Sequence, residues 1–116
     1  MTLRNLLTAS LVAIACNWAS AQCEPGIEAR KAADPAAALV GQEMFFLIEV
    51  ENLSQSCELH AIEVDDPLLP EVADYFLGFG WILPGETQEG VFEYRVHPED
   101  PDPLVNTVYF LFVDEY

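Results

Sequence analysis

Basic residues are nearly absent from this chain. It has four lysines and arginines in 116 residues against twenty aspartates and glutamates, a formal net charge of −16. Such a balance excludes nucleic acid and anionic membrane surfaces as partners, because their phosphates would be repelled. Histidine is scarce too. His60 and His97 are the only two, and a metal or acid–base role for either would need partners in a defined geometry. Ser54 and Ser56 sit in a polar bend with no glycine elbow, so the hydroxyls offer no nucleophile–base constellation. The chain therefore reads as a non-enzyme. No apolar run reaches the ~20 residues of a membrane-spanning helix.

What is present begins with a leader. "MTLRNLLTASLVAIACNWASAQ" carries one basic residue, Arg4, then an apolar run from Leu6 to Cys16, and closes on Ala19-Ser20-Ala21. This pattern marks a secretory signal peptide over residues 1–21, cleaved after Ala21, followed by one domain over 22–116. A secreted, periplasmic or cell-surface location follows. An alternative is a lipoprotein anchored at Cys16, although Ala13 stands where leucine is usual. Cleavage would remove Cys16 and leave Cys23 and Cys57, an even pair in a compartment that permits disulfides. A Cys23–Cys57 bridge would close a loop of roughly thirty residues and stabilise the fold by about 3–4 kcal/mol. Cleavage would also leave Arg30, Lys31 and Arg95 against all twenty acids.

The remaining sequence alternates with the period of β-strands. Ile27 to Lys31 is a short candidate strand, and "AAALV" a second strand or a helical turn. In "MFFLIEVEN", Phe46, Ile48 and Val50 share one face and Glu49 and Glu51 the other. "CELHAIEV" places Ile62 and Val64 inward and Glu63 outward, and Pro67 and Pro70 stop it. "DYFLGFGWIL" reads as an apolar strand bent at Gly78 and Gly80. "PGE" is a turn. "VFEYRV" turns Phe92, Tyr94 and Val96 inward, and "LVNTVYFLFV" is a last, central strand. The whole predicts an all-β, antiparallel β-sandwich of about seven strands, without a helix of useful length.

"GQEMFFLIEVEN" resembles the opening of the conserved-repeat family of immunoglobulin-like surface domains in bacteria and archaea, domain of unknown function eleven and its relatives. Further segments are similar in order: "IEARKAADP", with Lys31 as a first-strand lysine, "LHAIEVDDPLLP", with Asp66 as its aspartate, "WILPGET", "FEYRVHPED" and "LVNTVYF". The resemblance spans essentially all of 22–116. It implies an immunoglobulin-like extracellular module with a spacer, adhesive or envelope role and no catalysis. The chain departs from the family pattern in its acids and in Phe45, Tyr109, Phe110 and Phe112, where small hydroxyl residues are usual.

Three sets of candidate site residues follow. Asp65, Asp66, Glu99, Asp100 and Asp102 could offer carboxylates to Ca²⁺, which takes about six to eight hard oxygens. No EF-hand spacing is present, and aspartates at such positions also close turns. Asn52-Leu53-Ser54 fits the N-glycosylation acceptor pattern, as a chance match in a polar turn also would. Some surface β-sandwiches join a first-strand lysine to a last-strand asparagine by an isopeptide bond promoted by a buried carboxyl. Lys31 and Asn106 occupy such strands, and Asp66 could assist. The expected function is a secreted or cell-envelope module with a structural, adhesive or protein-binding role. Its partner would be an extracellular or envelope protein or a surface polymer, bound by strand addition at a sheet edge. The alternative is a small periplasmic calcium- or ligand-binding protein.

Overall fold

The computed structural model describes the backbone of residues 3–5, 12–17, 26–101 and 104–114, and side chains within 26–101 and 104–113. The described chain is mostly strand with one short helix, and its strands after residue 25 form two antiparallel three-stranded sheets, apart from a short strand at Ala37–Leu39 that pairs with Leu3–Asn5. The order is β1 (Leu3–Asn5), β2 (Val12–Asn17), β3 (Ile27–Asp34), β4 (Ala37–Leu39), β5 (Glu43–Asn52), β6 (Leu59–Asp65), α1 (Glu71–Leu77), β7 (Trp81–Ile82), β8 (Thr87–Arg95) and β9 (Val108–Asp114).

β5 organises the first sheet. Its alternation buries Met44, Phe46, Ile48, Val50 and Asn52, while Phe45, Leu47, Glu49 and Glu51 turn outward. β3 pairs along one side, from Ile27↔Asn52 to Asp34↔Phe45, and so runs past the Lys31 end expected from sequence. β8 pairs along the other side, from Glu43↔Arg95 to Glu51↔Thr87. The "PGE" turn forms before β8. The Glu86 amide donates to the Leu83 carbonyl at 2.9 Å. Gly85 holds φ +77°, which the third position of a proline–glycine type II turn requires.

In the second sheet the order is β2-β9-β6-β7. β9 is central, with Val108, Phe110 and Phe112 buried, and starts at Val108 rather than Leu104. β2 lies in parallel beside it. β1 and β2 belong to the segment read as the leader. The expected cleavage point after Ala21, and Cys23, lie outside the described residues.

Two expectations about local structure are corrected. Ile62 does not point inward: a bulge between Ala61 and Glu63 in the pairing with β9 skips it, and it is 49% exposed, while Val64 returns to the interior. Asp74–Leu83 is not a continuous strand, because its first half belongs to α1. Pro70 precedes the helix with φ −62°, already helical, and Glu71 and Asp74 lie in the first turn, where acids complement the helix dipole. Val72 and Phe76, four apart, form its buried stripe.

α1 touches both sheets. Phe76 packs edge-on against Phe110 of β9 at 5.2 Å, and Tyr75 against Phe92 of β8 at 5.2 Å. The buried residues of both sheets and the helix form a single apolar cluster. Gly90 makes room for this contact. A Cβ there would lie 2.5 Å from the Tyr75 ring and 2.7 Å from that of Phe92. Gly90→Ala should therefore destabilise the protein by about 1–3 kcal/mol, the usual cost of overpacking. The check is a urea unfolding curve with a lowered midpoint and an unchanged slope.

Candidate functional site

The acidic pair in "VDDP" divides into an outward and an inward residue. Asp65 is the last, exposed residue of β6, and Asp66 turns inward with its side chain fully buried. Pro67 prevents the strand from continuing, so the chain bends over the Asp66 carboxylate. Oδ1 accepts from the Leu68 amide at 3.1 Å and the Leu69 amide at 3.0 Å. This side-chain-to-backbone clasp is the turn chemistry aspartate favours.

Two other segments meet the same carboxylate. Asn106, just before β9 and 1% exposed, donates its Nδ2 to Asp66 Oδ1 at 2.6 Å. Lys31 lies on the inward face of β3, opposite Ile48, and brings Nζ to 3.7 Å from Asp66 Oδ2 with its side chain fully buried. The Lys31 ammonium also stands over the Phe46 ring, 5.1 Å from its centre. Burial pulls the Lys31 pKa down to about 8, and the Asp66 charge opposes that pull. A buried amine with a pKa near 8 is neutral in a substantial fraction of molecules at mildly alkaline pH, and a neutral amine is a nucleophile. The Asn106 carbonyl oxygen is buried without a hydrogen bond in the described structure.

A second buried polar centre is Asn52. It continues the inward parity of β5 and is fully buried. Its Nδ2 donates to the Cys57 carbonyl at 2.7 Å and the Ile82 carbonyl at 2.9 Å. Its Oδ1 accepts from the Ser54 amide at 2.9 Å, and Ser54 Oγ accepts in turn from the Cys57 amide at 3.1 Å. The amide is thus a clasp on the 52–57 bend rather than a surface acceptor for a glycan. Cys57 is buried beside it.

The proposed calcium ligands do not gather in this way. Glu99 is exposed, and Asp102 lies outside the described residues. Asp100 takes the Tyr94 hydroxyl at 2.7 Å and the His97 amide at 2.8 Å, closing the turn after β8. Burial, then Asp100, pushes the Tyr94 phenol well above its ordinary pKa. Among the described residues no group of three or more His, Cys, Asp or Glu side chains is placed to hold a metal ion. The histidines meet aromatic rings, His60 with Trp81 and His97 with Tyr94.

The outer face of the first sheet carries a different feature. Ala32, Leu47 and Val91 stand in register across β3, β5 and β8, with Phe45 beside them. They line a depression of ≈ 260 Å³ together with Ala33 and Asp34. Val91 is 65% and Phe45 44% exposed. Charged residues border this band on both sides. Arg30, within 3.4 Å of carboxylate oxygens of Glu28, Glu49 and Glu51, lies on one. Glu43, Glu93 and Arg95 lie on the other.

Comparison with protein-family models, with curated proteins and with solved structures gives no match.

Asn52→Ala would orphan a buried amide N–H and two buried carbonyls at once, at about 1–3 kcal/mol for each group left unpaired. A drop of at least about 2 kcal/mol in unfolding free energy is expected. Expression of the native chain in a glycosylating host should yield folded protein without a glycan at Asn52, read by peptide mass.

Proposed function

We propose that this chain is a secreted or cell-envelope module, an immunoglobulin-like β-sandwich of the conserved-repeat type, that binds an envelope protein or surface polymer rather than catalysing a reaction. The observation that carries this reading is the apolar band on the outer face of the first sheet. Solvent-facing sheet surfaces are ordinarily polar. Here three strands each contribute an apolar residue at matching register, and the band is exposed among acids. Exposed apolar surface rimmed by charge is the composition of a binding patch. The acidic border favours a partner that offers apolar groups flanked by basic ones and disfavours a second copy of the same acidic chain.

The leader over 1–21 supports placement outside the cytoplasm, and Cys57, buried at the 52–57 bend, suits a bridge to Cys23 there. The resemblance in segments from "IEARKAADP" to "LVNTVYF" supports the fold type.

The test is fractionation of cells expressing the full chain beside a Phe45→Glu/Val91→Glu variant. Both changes lie on the solvent face, so unfolding free energies should shift by no more than about 1 kcal/mol. The expected result is a mature chain beginning at Gln22, retained with the envelope, and several-fold less retention of the variant. Equal retention of the two proteins, or recovery of the chain from the cytoplasm with its leader intact, would overturn the proposal.

A further inference from the structure

We infer that Lys31 and Asn106 become joined by an intramolecular isopeptide bond, with Asp66 as the proton-transferring group. The inference is independent of the binding role. It rests on three side chains from three separate parts of the chain meeting in an interior closed to water. The carboxylate lies between the other two, 2.6 Å from the amide nitrogen and 3.7 Å from the amine. All three functional groups are buried.

The chemistry balances without any further reactant. The neutral Lys31 Nζ attacks Asn106 Cγ, and a new C–N bond forms. The bond from Cγ to Nδ2 breaks. Asp66 takes a proton from the attacking nitrogen and delivers one to Nδ2, which departs as ammonia. The Asp66 carboxyl ends as it began. Each element of the arrangement favours this step. Burial lowers the cost of the neutral amine relative to the ammonium. The leaving nitrogen is already hydrogen-bonded to the group that must protonate it. Held geometry replaces a bimolecular encounter. Exclusion of water removes the competing hydrolysis of the amide.

The chain has a single lysine, which makes the test direct. Full-length protein is expressed with its leader, recovered in mature form, reduced, denatured and treated with a protease that cuts after lysine. An unmodified chain is cut after Lys31, whereas a joined chain resists. A second digest that also cuts after arginine separates residues 31–95 from 96–116, and tandem mass spectrometry then seeks one branched peptide containing both residues and lighter by one ammonia than its two parts. Peptides are needed because cyclisation of an N-terminal Gln22 would also release ammonia. The expected result is protease resistance and the branched peptide in the native chain, with ordinary cleavage and no branch in Asn106→Ala. The Lys31→Met variant keeps an apolar stem in place of the amine and should show no branch. A native chain cut quantitatively after Lys31, with no branched peptide, overturns the inference whether or not either variant folds.

Discussion

The Asp66 carboxylate is the interaction on which the rest of the structure depends. It holds the turn that follows β6 towards α1, and receives a lysine from the first sheet and an asparagine at the entrance to β9. Taking such a charge out of water costs several kcal/mol, which its attraction for a buried ammonium offsets only when hydrogen bonds satisfy the remaining lone pairs. Three N–H donors converge on Oδ1. The position of α1 follows from this turn, since Val72 caps back onto the Leu69 carbonyl immediately after it. The helix in turn closes the aromatic contacts between Phe76, Phe92 and Phe110.

Scarcity of basic groups makes each one count. Arg30 gathers Glu28, Glu49 and Glu51 on the outer face, and Arg95 pairs with Glu43 and the Gly41 carbonyl. Exposed pairs of this kind each contribute little, but here they relieve repulsion between carboxylates that would otherwise stand alone on neighbouring strands. Lys31 is spared for the interior. Asn52 is a neutral counterpart at the last residue of β5, tying the 52–57 bend to β7.

Much of the strand pattern was legible in the sequence, because the period-two alternation of Phe46, Ile48 and Val50, and of Phe92, Tyr94 and Val96, states which face is buried. The same parity extends to Asn52, a signal that this amide belongs inside. Other features depend on partners far along the chain. Nothing in "CELHAIEV" specifies that pairing with β9 skips Ile62. The helix is not legible in the sequence because two buried residues, Val72 and Phe76, make a short stripe, and the apolar residues on either side blur its period. At the site, the residue types and their strands were readable from Lys31, Asp66 and Asn106. Their convergence was not, since it requires two sheets to meet at one carboxylate. The same limit applies to the acidic residues weighed for calcium: sequence shows their number, whereas Asp66 and Asp100 serve separate turns.

The placement of Lys31 and Asn106 also has a mechanical meaning. Lys31 lies midway along β3, the first long strand after residue 25, and Asn106 just ahead of β9. A covalent bond between them would carry tension applied at the two ends directly across the domain. The segment from 31 to 106, with β5, β6, β8, the helix and the outer apolar band, would lie off the line of force. A module built in this way could be pulled without being unravelled, and its binding face would keep its shape under load.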